Sequence, residues 1–222
     1  MVDTGTSGAD AAADARDPSR LNEIVRAAAI EASACFDAFT RDEHAIDQVA
    51  EAGRLLAACL AQDGKVITCG NGGSMCDAIH LAEELTGRFR SDRRALGALA
   101  LSDAGYLSCV GNDLGYDEVF ARGVEALGRP GDVLVAFTTS GTSTNVIRAV
   151  SAARRNGMVA IAVTGRPGAA VEQEASLTIV TPGGRWADRV QELHTLVVHA
   201  LIELVEHSLG IHDESLVGNV GR

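Results

Sequence analysis

Two short segments carry the residue types of an anion-binding loop: Gly70-Asn71-Gly72-Gly73-Ser74 and Thr138-Thr139-Ser140-Gly141-Thr142-Ser143-Thr144. Glycine lets the backbone approach a ligand closely. Each segment also runs into a helical pattern, whose first N–H groups and positive dipole end attract negative charge. The first segment reads equally as a tight turn with Ser74 as a helix N-cap. The second lies between an apolar run and a well-patterned helix, which fits a phosphate site better than a Ser/Thr-rich linker. No Gly-Lys-Ser/Thr follows the glycines, so a nucleotide P-loop is excluded. Just beyond the first loop, His80 and Glu84 are four residues apart and share one face of a helix. An imidazole and a carboxylate so placed can bind zinc or a similar divalent ion, and a surface His–Glu pair has the same spacing. Near the C-terminus, Asp188, Gln191, His194 and His199 accompany an apolar stripe of Val190, Leu193, Val197, Leu201 and Leu204. Gln191 and His199 stand eight residues apart, about 12 Å along an ideal helix. They reach one metal only with extended side chains, or by serving sites in different subunits. His194 lies beside the apolar stripe and reads as a structural histidine.

These groups need a scaffold, and the apolar pattern supplies one. Residues 1–18 lack apolar periodicity and aromatic residues and read as a disordered extension. Leu21, Ile24, Ala28, Ala32, Cys35 and Phe39, then Ile46, Val49, Gly53, Leu56 and Leu60, recur at steps of mainly three and four, which predicts two amphipathic helices. Short apolar runs then alternate with helical segments. The strands are expected at 66–69, 96–101, 133–137, 159–163 and 177–180, and the helices at about 74–88, 103–111, 115–127, 144–156, 168–174 and 186–208. The runs are apolar without alternation, as in strands covered on both faces. Such an order implies one α/β domain over residues 19–210, built as a three-layer α/β/α sandwich on a doubly wound parallel sheet. Residues 211–222 read as a flexible tail. In such sheets ligands bind beyond the carboxyl ends of the strands, where both glycine-containing loops fall.

The chain's formal charge of -11 argues against nucleic acid and anionic membranes as partners. It leaves room for a small anionic substrate held by local dipoles. The five cysteines form no CxxC pair, which fits reduced thiols in the cytoplasm, mostly filling the core. No apolar run is long enough to span a bilayer.

Several longer strings resemble the sedoheptulose-7-phosphate isomerase family of sugar isomerase (SIS) domains. They are Cys69-Gly-Asn-Gly-Gly-Ser74, Cys76-Asp-Ala-Ile-His-Leu-Ala-Glu-Glu-Leu-Thr-Gly-Arg88, Ser108-Cys-Val-Gly-Asn-Asp113, the Thr-Ser-Gly loop, and Ala187-Asp-Arg-Val-Gln-Glu-Leu-His194 with His199 beyond. The resemblance covers about residues 20–208. It implies a flavodoxin-like fold with a five-stranded parallel sheet, and a homotetramer with active sites at subunit interfaces. It implies conversion of sedoheptulose 7-phosphate to D-glycero-D-manno-heptose 7-phosphate, the entry to nucleotide-activated heptose in bacteria. One zinc ion per subunit would fall on His80, Glu84, Gln191 and His199. Substrate contacts would fall on Asn71, Gly72, Gly73, Ser74, His80, Glu84, Asn112, Asp113, Thr138, Thr139, Ser140, Ser143, Asp188 and Gln191. Thr138 stands where serine is common in the family, and Met75 where histidine or a small residue is frequent.

A ketose–aldose isomerisation needs a base at the carbon beside the carbonyl and an acid that serves the two oxygens. Glu84 is the expected base and His199 the expected acid. The alternative is a non-catalytic SIS protein that binds phosphosugars or associates with a replication initiator. The replication-initiator-associating relatives lack residues matching Glu84 and His199, and both are present here; phosphosugar-binding regulators usually carry an added DNA-binding segment, and no basic helix-turn-helix pattern is present.

Overall fold

The structure is a computed structural model that describes residues 17–211. The extension and the tail expected from the sequence lie outside the described residues, except at their inner ends. There Asp17 caps the first helix and Pro18 opens it.

Two helices come first, α1 (Pro18–Thr40) and α2 (Glu43–Ala61), each capped by an aspartate side chain, Asp17 and Asp42. Then follow β1 (Val66–Gly70), α3 (Gly73–Thr86), β2 (Ala98–Ala100), α4 (Ala104–Asp113) and α5 (Ala121–Leu127). The chain ends with β3 (Val133–Thr138), α6 (Thr144–Arg155), β4 (Val159–Thr164), β5 (Leu177–Val180) and α7 (Ala187–Ser208). All strand pairs are parallel, in the order β2-β1-β3-β4-β5. This is the five-stranded α/β/α sandwich that the sequence implied.

Side chains alternate between the two faces of each strand. Val133, Val135 and Phe137 of β3 enter one core, formed with α2, α3 and α7, while Leu134 and Ala136 enter the other, formed with α4, α5 and α6. Both faces are covered, so the runs are continuously apolar. The expected elements shift in three places. Strand 96–101 shortens to the three residues of β2, which pairs on one side only, while Leu96 and Leu101 are buried outside the ladder. The helix expected at 115–127 divides into a 3-10 turn, Tyr116–Glu118, and α5; Gly115 enters the turn with φ 93°. The segment expected at 168–174 is a 3-10 turn, Ala170–Gln173.

The α1 stripe behaves differently from the α2 stripe. Phe39 is the one fully buried residue of α1, and Leu21, Ile24, Val25 and Ile30 are 48–69% exposed. The helix is held to the body partly through Arg189 at the start of α7, whose guanidinium donates to the Ala28 carbonyl at 3.0 Å. α2 is buried against α7. A Cβ at Gly53 of α2 would stand 2.6 Å from Leu204 Cβ.

That contact sets two effects against each other. Helix propensity alone would make Gly53→Ala stabilising by about 1 kcal/mol. Overpacking against Leu204 costs about 1–3 kcal/mol, because the contact is with Cβ and not with a movable side-chain end. The expected outcome is net destabilisation, read as a lower urea midpoint at unchanged m-value. A raised midpoint would show that the α2–α7 crossing relaxes freely.

Candidate active site

The strand order reverses between β1 and β3, the point at which sheets of this kind form a ligand crevice beyond the carboxyl ends of their strands. The loops leaving these two strands are the two loops singled out by composition. A pair of amides ties them together. Asn71 Nδ2 donates to Asn145 Oδ1 at 2.8 Å, and Asn145 Nδ2 donates back to Asn71 Oδ1 at 2.9 Å. The Tyr116 hydroxyl donates to the same Asn71 oxygen at 3.1 Å. The buried Asn145 was not singled out from the sequence. Its sole local sign was an asparagine inside the first turn of a helix, where that residue is a poor helix former.

Both helices that start in this crevice lack a side-chain cap. Gly72, with φ 56°, is the N-cap of α3, and Ser74 sits inside the helix. Ser143 is the N-cap of α6, and its hydroxyl closes no capping bond. Ser74 N and Met75 N donate to the carbonyls of Asn71 and Gly72, and Val146 N donates to Asn145 Oδ1, so the positive ends of the two helices and the N–H groups ahead of these are what remains to suit an anion. In the second loop, Thr138 Oγ1 accepts from Gly141 N at 3.1 Å, and Ser140 Oγ accepts from Thr142 Oγ1 at 3.0 Å. Thr139 and Ser140 are half-buried. Asn112 and Asp113 are exposed at the end of α4, bonded to each other at 2.8 Å. Asp188 is exposed in the first turn of α7, and the Arg189 backbone N–H holds its carboxyl below the usual range.

From the crevice, α3 runs beside α7 in the same direction. Gly73 lies under the Gln191 side chain, whose Nε2 would stand 2.4 Å from a Cβ at that position. One turn on, the Thr195 hydroxyl donates to Asp77 Oδ1 at 3.0 Å. Another turn on, the His80 and His199 rings meet edge to face, 5.0 Å between centroids, and Phe89 lies 5.7 Å from His199. His80 Nε2 is 3.6 Å from Glu84 Oε1, and both side chains are about a quarter exposed. His80, Glu84 and His199 thus gather at one level, while Gln191 stays with the crevice loops, about 10–12 Å away along the helices. Among the described residues, no group of three His, Cys, Asp or Glu side chains converges to hold a metal ion. The His80–Glu84 separation does match the roughly 3.4 Å between two ligands of a tetrahedral ion with bonds near 2.1 Å. The pair fits a two-donor bite, and the chain offers the remaining donors, His199 and Gln191, at two different levels.

Between these levels lies a buried polar cluster. Burial pushes the Asp77 carboxyl up to about 6, against the Thr195 hydrogen bond and the nearby His80. His194 is fully buried beside Phe137, with Nδ1 3.9 Å from Asp77 Oδ2 and no hydrogen bond to either ring nitrogen. Burial lowers its imidazole to about 3. It is a structural histidine, as its place beside the apolar stripe implied. Among the cysteines, Cys59 and Cys69 are core residues with thiols pushed up by burial, to about 11 and about 12, whereas Cys76 and Cys109 are exposed and fill no core.

A SIS-domain family model matches residues 31–165. The chain belongs to the SIS-domain family. It is 48% identical over 187 residues to the phosphoheptose isomerase of Aeromonas hydrophila, covering 84% of this chain and 97% of that protein. It is 46% identical over 187 residues to that of Vibrio vulnificus, covering 84% and 98%. Among solved structures it resembles the phosphoheptose isomerase of Neisseria gonorrhoeae, with a TM-score of 0.78, 40% identity, and coverage of 84% and 99% of the two chains. The corresponding enzyme of Francisella tularensis gives a TM-score of 0.75 and 34% identity over 85% and 98%. No helix among the described residues is long and apolar enough to cross a membrane.

The buried histidine generates a pH prediction. Its folded value of about 3 lies below the usual 6.5, so its contribution to stability is present above pH 6.5 and lost as pH falls. Asp77 works in the opposite direction: its raised value makes stability fall as pH rises through about 6. Replacing only the histidine separates the two. His194→Leu is expected to be near neutral at pH 7, since it removes two unpartnered polar atoms. From pH 6.5 down to pH 4 the variant should gain on the wild type, with a limiting slope of about 1.4 kcal/mol per pH unit. Urea unfolding at several pH values measures this, and a difference that does not change with pH would refute the lowered imidazole.

Proposed function

We propose that this chain is a phosphoheptose isomerase that converts sedoheptulose 7-phosphate to D-glycero-D-manno-heptose 7-phosphate. One observation supports this most directly. A single helix, α3, begins in the anion-binding crevice and carries His80 and Glu84 two to three turns later, beside His199 of α7. A phosphosugar has the same layout, an anion at one end and the reacting carbonyl at the other.

The Thr138–Ser143 loop, Asn71, Gly72, Gly73 and Ser74 hold the phosphate end through hydroxyls and backbone N–H groups. Asn112, Asp113 and Asp188 accept from sugar hydroxyls. Glu84 takes the proton from the carbon beside the carbonyl, and His199 moves a proton between the two neighbouring oxygens. The proton that Glu84 removes returns to the adjacent carbon, so the reaction is neutral overall. His80, Glu84, Gln191 and His199 would hold zinc, one ion per subunit, and their nitrogen and oxygen donors suit it. When bound, the ion supplies Lewis-acid polarisation of the carbonyl oxygen. The reaction takes place in the cytoplasm and feeds nucleotide-activated heptose synthesis.

The activity assay is direct: purified protein with sedoheptulose 7-phosphate, aldose formation followed with and without a chelator. Glu84→Gln and His199→Ala are each expected to abolish turnover with the fold intact by circular dichroism. Ser140→Ala and Ser143→Ala should raise KM more than they lower kcat, because these hydroxyls hold the phosphate in ground and transition states alike. Near-normal kcat in Glu84→Gln or His199→Ala would refute the assigned roles.

The active form is a homotetramer whose subunits complete each other's sites. Two features support this: the exposed apolar residues of α1, and the separation of Gln191 from His80, Glu84 and His199 within one chain. Light scattering is expected to give about four times the 23.0 kDa chain. Glu84→Gln and Gln191→Ala subunits, dissociated and reassembled together, should regain part of the activity. Glu84→Gln mixed with His199→Ala should not, since those two residues share a level on one chain. A fully active monomer would overturn the assembly, and failure of the first mixture alone would place the four residues in one subunit's site.

A further inference from the structure

We propose that Arg93 is a positioning residue for Glu84, an inference that rests on the isomerase reading above. Arg93 lies in the segment between α3 and β2, and its side chain is 2% exposed. The guanidinium sits at the carboxyl end of α3 and spends its donors there. Nη2 donates to the carbonyl of Glu84 itself at 2.6 Å. Nη1 faces the carbonyls of Leu85 at 2.9 Å, Gly87 at 3.2 Å and Arg94 at 3.0 Å. Nε donates to Glu206 Oε1 at 2.6 Å, and Glu206 is itself buried on α7, seven residues beyond His199.

Each part has a physical reason. The last carbonyls of a helix have no partner within it, and a cation there also meets the negative end of the helix dipole. A buried guanidinium requires an anion, and here the anion comes from the other helix of the site. One side chain thus fixes the backbone at Glu84 and ties it to the helix that bears His199. Only arginine's planar fork serves several carbonyls and a carboxylate at once; a lysine ammonium is a point charge on a flexible stem. Arg93 touches no reacting atom, so it acts through the placement of Glu84. Small misplacements suffice: about 1 Å can cost on the order of a hundredfold in rate.

The decisive variant is the double replacement Arg93→Met/Glu206→Leu. Exchanging both partners removes the two buried charges together and leaves only the carbonyl bonds unreplaced, so Tm falls modestly. A purely structural pair would leave the folded fraction fully active. The expected result, per folded molecule, is KM for sedoheptulose 7-phosphate within about twofold of the wild type with kcat lowered about tenfold or more. Arg93→Lys keeps the charge opposite Glu206 and covers the case in which the double variant fails to fold. It should show the same split, kcat lowered and KM kept. Wild-type kcat in either folded variant, or losses that follow only the folded fraction, would overturn the role of Arg93. A wild-type protein inert toward sedoheptulose 7-phosphate would overturn the isomerase reading and this inference with it.

Discussion

The site depends on the register of α3 against α7. Three contacts set it: Gly73 under Gln191, Asp77 on Thr195, and the His80 ring on the His199 ring. The two helices run in parallel, so steps of seven or eight residues along each keep facing side chains in phase. In the first contact a Cβ at position 73 would stand 2.4 Å from Gln191 Nε2, so a larger residue there would push the amide aside. The Arg93–Glu206 pair closes the same seam at its far end. A slip of one turn along this seam would part His80 from His199. Its fixed register lets residues more than a hundred positions apart in sequence act as one group.

An acidic protein that binds a phosphate must do so against its own average field. The crevice proposed for it has no lysine or arginine in either loop. There, helix N-termini, hydroxyls and backbone N–H groups would act at contact distance. The surface carboxylates act across water and salt, where a charge is largely screened beyond about 10 Å. Short-range dipoles at such a site would outweigh a net charge of -11.

What the sequence revealed follows from which forces are local. Strands covered on both faces must be continuously apolar, so all five were legible, with their ends fixed to within two residues. The two loops were legible as strand-to-helix connections, because glycine and hydroxyl residues stand directly between an apolar run and a helical pattern. His194 was legible as a structural residue from its place beside an apolar stripe. The partners of other polar residues were not. Asn145 gains its role from Asn71, 74 positions away, and Arg93 from Glu206, 113 positions away. Nothing in the neighbourhood of either residue announces such a partner. The stripe on α1 misled in a different way. Its periodicity correctly gave a helix, but apolar periodicity says that a face is to be covered and not by what, and in one chain most of that face stays exposed.

The polar seam also has an energetic consequence. Asp77 and His194 are buried with unpartnered atoms, an arrangement that costs stability and that apolar residues would avoid. Both lie between the crevice and the His80–Glu84–His199 level, and both belong to the helices that carry those groups. An apolar seam would pack more tightly, yet it would tolerate small slides between α3 and α7, because dispersion contacts have no direction. Hydrogen bonds such as Thr195 to Asp77, and the fork of Arg93 on four carbonyls and a carboxylate, have direction. A polar seam therefore gives up packing energy and gains a defined register. The rest of the fold, with two apolar cores built on opposite faces of one sheet, supplies the stability that allows it.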